Sequence, residues 1–261
     1  MTDPATLLAA YDEQLRGNAE GSGVASTVVG PLVRVEYARR GFVSYRTLDG
    51  IDSDRLDALI AGERDYFAAK GQRVEWKTRG HDRPADLPDR LLAAGFVPED
   101  VETVVIAESA QVASMPTLPE GVTIRRVSDR PDLERIAALE SEVWGEDWSW
   151  LTDDLATRVA ASADDIQIFV AEADGVVVSA AWTVFKPGTD FAGLWGGSTL
   201  QQWRGRGLYK ALVATRAQQA VERGFRYLQV DASDDSRPIL ERLGFVAVTT
   251  TTPYIFTPPT R

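Results

Sequence analysis

Gln201-Gln202-Trp203-Arg204-Gly205-Arg206-Gly207 is the stretch on which the fold of this chain turns. It follows a run that predicts a strand over 191–200 and precedes one that predicts a helix over 209–223, closed by Gly224. Glycines at a strand-to-helix turn let backbone N–H groups converge on one concavity, and the helix N-terminus adds about half a positive charge. That combination suits a pyrophosphate, with Arg204, Arg206 and Lys210 as countercharge at its rim. The loop is not a Walker loop, because it lacks the spaced glycines and the Gly-Lys-Ser/Thr ending. It is not the dinucleotide fingerprint either, since the third glycine and the later acidic residue are missing. Alone, so short a turn is equally well a basic surface loop, and the order of elements around it has to decide.

Downstream, the pattern predicts a strand over 225–231, a short helix over 238–243 and a terminal hairpin over 245–256 around Pro253. Upstream, it predicts a strand over 122–127, helices over 132–143 and 151–161, and strands over 166–172 and 176–185 joined by the turn Asp174-Gly175. Ser109 to Glu120, with two prolines and no periodicity, predicts a linker. Before it come a helix over 5–16, a Gly/Ser-rich loop over 17–26 and strands over 33–37 and 41–48 around Arg39-Arg40. A helix over 52–70 ending at Gly71, a strand over 72–77, a helix over 84–94 and a strand over 102–108 complete the first half. The halves repeat. Val74-Glu75-Trp76-Lys77 leads to Arg83-Pro84 and Ala94-Gly95-Phe96-Val97, as Leu228-Gln229-Val230-Asp231 leads to Arg237-Pro238 and Leu243-Gly244-Phe245-Val246. Lys77 and Asp231 each stand six residues before their Arg-Pro.

The order from strand 122–127 to the terminal hairpin resembles the GNAT acyltransferase superfamily over the whole of 121–261. The family's phosphate motif has the form Gln/Arg-x-x-Gly-x-Gly/Ala; Arg204 and Gly207 match its first two fixed positions, and Tyr209 departs from the third. The resemblance implies an α/β fold with a mixed sheet and two GNAT-like units. These are a degenerate, truncated one at 1–108, a linker at 109–120 and a complete coenzyme-A-binding domain at 121–261. It implies acetyl-CoA as cofactor, its pyrophosphate on Arg204, Gly205, Arg206, Gly207, Leu208 and Tyr209. Its pantetheine arm would run along Gly197, Ser198 and Thr199, with Ser233 where the family often has a cofactor-contacting asparagine. The resemblance also implies an amide near Gly197 that would polarise the thioester carbonyl. In the first half the equivalent turn, Leu48-Asp49-Gly50-Ile51-Asp52-Ser53-Asp54, carries three acids that repel a pyrophosphate.

The expected activity is transfer of an acetyl or small acyl group from acetyl-CoA to an amine of a small molecule, by direct attack in a ternary complex. The alternatives are other acyl-CoA chemistry, such as thioester hydrolysis, or a non-catalytic acyl-CoA-binding module. Many family members place a tyrosine acid just before the Glu-x-x-Gly-Phe segment; here Leu240 stands there. Asp231 is a candidate base or ammonium partner, or a turn cap with Ser233. Tyr254 and Tyr209 are substitute proton donors, or Tyr254 packs in the sheet. Trp144-Gly145-Glu146-Asp147-Trp148-Ser149-Trp150 sets three tryptophans and two acids in seven residues. Ring faces and carboxylates of that kind suit an organic cation, so Trp144, Glu146, Asp147 and Trp148 are candidate acceptor contacts. Equally, the tryptophans pack helices onto the sheet, and Trp182 and Trp195 are expected in the core.

Composition narrows the field further. The 261 residues contain no cysteine, which excludes disulfides and thiolate zinc sites, and one histidine, His81, which argues against His-based metal clusters and Ser-His-Asp triads. No metal site is expected. A net charge of −11 disfavours nucleic acid and anionic membrane as partners. No run approaches the length of a membrane span, and Met1 to Ala10 lacks the pattern of a signal peptide. A cytoplasmic monomer or homodimer is the expectation.

Overall fold

The computed structural model describes residues 2–17, 25–37 and 39–259. The first half comprises α1 (Pro4–Gln14), β1 (Ala25–Val29), β2 (Leu32–Glu36), β3 (Arg40–Tyr45), α2 (Ser53–Ala69), β4 (Arg73–Arg79), α3 (Leu87–Ala93), β5 (Val97–Pro98) and β6 (Glu102–Glu108). A one-turn helix, α4 (Ser109–Val112), leads into β7 (Val122–Val127), α5 (Arg130–Trp144), α6 (Leu151–Ala161), β8 (Ile166–Ala173), β9 (Val176–Phe185) and β10 (Phe191–Thr199). After the glycine loop come α7 (Leu208–Glu222), β11 (Tyr227–Ala232), α8 (Arg237–Arg242) and β12 (Val246–Phe256). Among the described residues the strands form one mixed sheet, ordered β1-β2-β3-β4-β12-β6-β11-β10-β9-β8-β7, with β5 on β12.

Alternation along the strands loads both faces of this sheet. Ile168, Val170, Ala180 and Trp182 pack under α5 and α6 with Leu133, Ile136 and Leu155. Phe169 and Ala181, one residue on, face the other way and meet Leu212 of α7. Burial on both sides explains why 168–171 and 177–182 read as nearly unbroken apolar runs. In the first half Val74, Trp76 and Tyr254 pack beneath α2 and α3 with Leu56, Phe67 and Leu91.

The strand order reads alike from either side of the β12–β6 seam. β3 and β4 are parallel neighbours joined through α2, as β10 and β11 are joined through α7. The last strand of each half then crosses over: β6 pairs with β11, and β12 pairs with β4. Leu7 and Tyr11 of α1, with Leu15 at its C-cap, cover the exchange, packing on Val104, Ile106, Phe191 and Tyr227. The Lys77/Asp231 repeat therefore has a structural counterpart, and the two residues meet. Lys77 Nζ lies 2.9 Å from Asp231 Oδ2, 3.6 Å from Glu102 and 3.9 Å from Glu75.

Three expectations need correction. The stretch 245–256 is one strand rather than a hairpin: Val246 to Thr251 lies on β6, and Thr251 to Phe256 on β4, with an offset between Ala247 and Thr249. The β-branched run Thr249 to Thr252 favours extension, and no Asn-Gly or Gly-Gly pair near Pro253 supplies a turn. The linker is partly helical and held down, since α4 packs on α7 and Gln218 Nε2 donates to Ser114 O at 2.9 Å. In the predicted loop 17–26, Ala25 and Ser26 open β1, while 18–24 lies outside the described residues.

Burial pushes the Glu102 carboxyl above its usual range, reinforced by Asp231 and Glu75 and opposed by Lys77. A carboxyl that holds its proton more tightly folded than unfolded supports the fold below about pH 4 and loses that support as pH rises through its folded pKa. Glu102→Gln is therefore expected to raise the melting temperature at pH 7 by on the order of 2 °C and to leave it unchanged below pH 4. Paired thermal melts at the two pH values check this.

Candidate functional site

β10 and β11 pair only from Phe191↔Tyr227 to Gly193↔Gln229. Beyond that point β10 follows β9 and β11 follows β6, so the two parallel strands diverge and leave an opening between them. Where they diverge, β10 carries a bulge between Gly196 and Ser198. Both glycines there are required. Gly196 has φ +67°, and a Cβ would lie 2.5 Å from the Trp182 ring; Gly197 has φ +98°, and a Cβ would lie 2.7 Å from the Tyr209 ring. Arg216 of α7, 2% exposed, braces the bulge from behind. Its Nη1 donates to the carbonyls of Trp182 and Trp195, each at 3.2 Å, and its Nε to Leu212 O at 3.1 Å. No carboxylate pairs with it among the described residues, and burial lowers its pKa to about 10, so it stays charged at neutral pH.

The loop follows directly. A 3-10 turn, Gln201–Trp203, is locked by Arg204 Nε, which donates to Thr199 O at 3.1 Å. Arg206 stacks its guanidinium 4.7 Å from the Trp203 ring centroid. Gly205 and Gly207 take φ +74° and +85°, and Gly207 is the N-cap of α7 without any side-chain cap. The amides of Leu208, Tyr209 and Lys210 have no acceptor within their own helix. The contrast with the first half is direct, because there the Asp52 carboxylate accepts from Arg55 N at 2.9 Å and closes the N-terminus of α2. Charged side chains gather at the ends of β3 and β4. Arg16 enters from α1, 5% exposed, paired with Asp12 and Asp82, beside a cavity of about 420 Å³ that Arg46 and His81 also line. Both halves have a diverging strand pair, but one has an uncapped helix terminus beside it and the other has that terminus capped by its own aspartate.

Around this centre the predicted residues distribute unevenly. Ser198 and Thr199 lie on the bulge strand, nearly buried, and Ser179 supports them through Ser198 O at 2.7 Å and Thr199 Oγ1 at 2.8 Å. Leu208 is buried in the core, so only its backbone faces the loop. Tyr209 lies with its ring against Gly197; burial pushes its pKa up, and the Arg216 charge and Ser236 oppose this. Ser233 is an exposed turn residue whose carbonyl accepts from Ser236 N and Arg237 N. Asp231 is not a free base: Oδ1 accepts from Gln229 Nε2 at 2.7 Å and Oδ2 faces Lys77. Tyr254 is 7% exposed in the first half's core and pairs with Trp76. Its strand is three places from β10 in the sheet, about 14 Å at the usual spacing, so sequence position misled about its role.

The tryptophan segment divides. Trp148 and Trp150 stack on each other at 5.2 Å and pack against the core under α5 and α6. Trp144 turns outward, 60% exposed, with its indole Nε1 held by Glu140 Oε2 at 2.8 Å and Ser198 Oγ at 3.2 Å. Glu146 and Asp147 are exposed. The Ser149 amide holds the Asp147 carboxyl below its usual range, with Arg39 of the first half adding to the effect. Trp182 is in the core as expected, whereas Trp195 is 37% exposed at the bulge. Two residues escape a reading of the chain alone. Arg216 looks like any helix surface position, but Glu140 has a signal: it continues the apolar stripe Leu133, Ile136, Ala137 as a lone acid.

Among the described residues, no group of His, Cys, Asp and Glu is arranged to hold a metal ion, and no helix is long and apolar enough to cross a membrane. Residues 131–245 match the model of the acetyltransferase (GNAT) family. No curated protein matches the chain. Among solved structures, a GCN5-related N-acetyltransferase from Kribbella flavida aligns with a TM-score of 0.70 at 20% identity, over 100% of this chain and 97% of that one. A tandem GNAT protein from the clavulanic acid biosynthesis pathway aligns with a TM-score of 0.65 at 14% identity, over 99% and 95%. A functionally unknown conserved protein from Staphylococcus epidermidis aligns at 0.67 and 12%, over 92% and 96%. At these identities the likeness is one of fold, and it extends over both halves.

Proposed function

We propose, from the premise that residues 131–245 are a GNAT acetyltransferase domain, that this chain moves an acetyl or small acyl group from acetyl-CoA to the amine of a small molecule. The observation that carries this reading is the uncapped N-terminus of α7 set beside the diverging strands β10 and β11. The bound thioester supplies the activated acyl carbon. The chain's own residues do the rest. The amides from Gly205 to Lys210, with Arg206, hold the pyrophosphate by charge and direction. The bulge offers its amides to an extended arm and to a thioester carbonyl, and a bulge braced by Arg216 has little freedom to shift as charge develops there.

The acceptor side is built by both halves. Trp144 presents a ring face whose orientation its hydrogen bonds fix. Glu102, Asp231 and Lys77 lie where the halves meet, and Arg39 stands near Asp147. An amine with a cationic or hydroxyl-bearing body fits such a surface.

A second reading has its own observation. Tyr209 occupies the space in front of Gly197, and Leu240 is buried where many relatives carry the acid. That arrangement favours thioester hydrolysis or a non-catalytic acyl-CoA module. Calorimetry with coenzyme A, followed by thiol release from acetyl-CoA with and without a panel of amines, separates the three. Amine-dependent release supports transfer. Release without amine supports hydrolysis, binding alone supports the module, and absence of binding removes all of them.

A further inference from the structure

β10 has no carboxylate of its own, yet one reaches it from the neighbouring helix. Glu140 of α5 is 2% exposed, and its Oε2 accepts from Ser198 Oγ at 2.6 Å and from Trp144 Nε1 at 2.8 Å. Its other oxygen, Oε1, is buried without a hydrogen-bond partner among the described residues. An unpaired acid in a core is costly, and such groups persist where their proton affinity is used. No charge offsets it. The facing strands Val176–Phe185 and Phe191–Thr199 carry no ionisable side chain. On α6, Asp154 is paired with Arg158 and Asp153 with Arg130, both at the surface. On α5 itself Arg130 and Glu134 pair with each other, Arg135 pairs with Asp132, and Glu142 has no part in the site; Arg204 is directed at Thr199 O. Burial is the leading cause of the raised affinity of Glu140 for its proton, with Ser198 and Trp144 opposing it.

We infer that Glu140 and Ser198 form the proton relay for the attacking amine, Ser198 touching the amine and Glu140 positioning and charging it from behind. The inference rests on the transfer reading above. In the step, the amine nitrogen bonds to the acyl carbon and the C–S bond breaks, its electron pair leaving on sulfur. One N–H proton passes to Ser198 Oγ while the Ser198 hydroxyl proton passes to Glu140 Oε2. The same path then returns a proton to the thiolate, giving amide and thiol with both side chains restored. The relay takes the place of a strand carboxylate as base and of a tyrosine at 240 as acid. It also explains why the Trp144 indole is tied to the same oxygen: the acceptor platform and the base are held as one unit.

The test uses the full chain and Glu140→Gln. Glutamine keeps the shape and removes a buried charge, so its melting temperature should equal or exceed that of the parent, and coenzyme A affinity should stay within about twofold. Amine-dependent thiol release should fall at least about 100-fold in kcat/KM, and the acid limb of its pH profile should flatten. In the protein without substrates, the Trp144 indole N–H resonance should titrate with a midpoint above the usual glutamate value of about 4.3 and become flat in Glu140→Gln. Ser198→Ala, which keeps the acid, should lose turnover to a similar extent. A merely structural Glu140 predicts the opposite pattern: lower stability with near-normal turnover per folded molecule. Turnover in Glu140→Gln within threefold of the parent, or an indole midpoint at or below the usual value, overturns the relay while leaving transfer intact. A parent that binds coenzyme A yet releases no thiol with any amine overturns the transfer reading and the relay together.

Discussion

Gly207→Asp is expected to weaken coenzyme A binding at least about 100-fold, some 2.7 kcal/mol, with little change in melting temperature. The position separates binding from folding unusually well. A Cβ there meets nothing nearer than Thr117 O at 4.0 Å, so packing is not disturbed. Its φ of +85° is left-handed, which aspartate tolerates better than most residues. The carboxylate would place a negative charge beside the free amides of α7, where the phosphates would sit. Titration calorimetry reads the affinity and a thermal melt reads the fold. Affinity within threefold of the parent would move the pyrophosphate site away from this loop.

Gly196→Ala is expected to act on the fold first. The added methyl meets the Trp182 ring at 2.5 Å, and that ring is embedded under α5 and α6. Overpacking of this kind costs about 1–3 kcal/mol, and the left-handed backbone at φ +67° adds about 1. The melting temperature should drop by about 5–15 °C. Gly205→Ala is the matched control: its φ is +74° but nothing lies within 4 Å, so only the backbone cost of about 1 kcal/mol applies. Equal losses in the two variants would show that Trp182 yields freely and that the bulge is not held from below.

The shape of the loop was open to a linear reading because every part of it is local. Strand, glycines, arginines and helix are consecutive, and backbone freedom and helix polarity act over a few residues. The same holds for the first half, where Asp49, Asp52 and Asp54 mark an acidic turn and Asp52 proves to be the cap. The repeat was legible too, through Lys77 and Asp231 before their Arg-Pro pairs, because duplicated elements keep their order.

Long-range pairing was not legible. Whether 246–256 folds back on itself or crosses to β4 depends on a partner more than 150 residues away, and a β-branched strand satisfies either arrangement locally. That crossing removed Tyr254 from the site and gave Asp231 its lysine. The acidic tryptophan segment likewise carries no mark that sends Trp144 outward and Trp148 inward; the packing of α5 on the sheet does that. The sequence by itself determined that one half carries a basic glycine turn before an uncapped helix and that the other carries an acidic turn with its own cap, since both are written in neighbouring residues. Only the tertiary structure decided which carboxylate stands at the bulge. Glu140 and Ser198 are 58 positions apart, and nothing short of a helix packed against a sheet brings them to 2.6 Å.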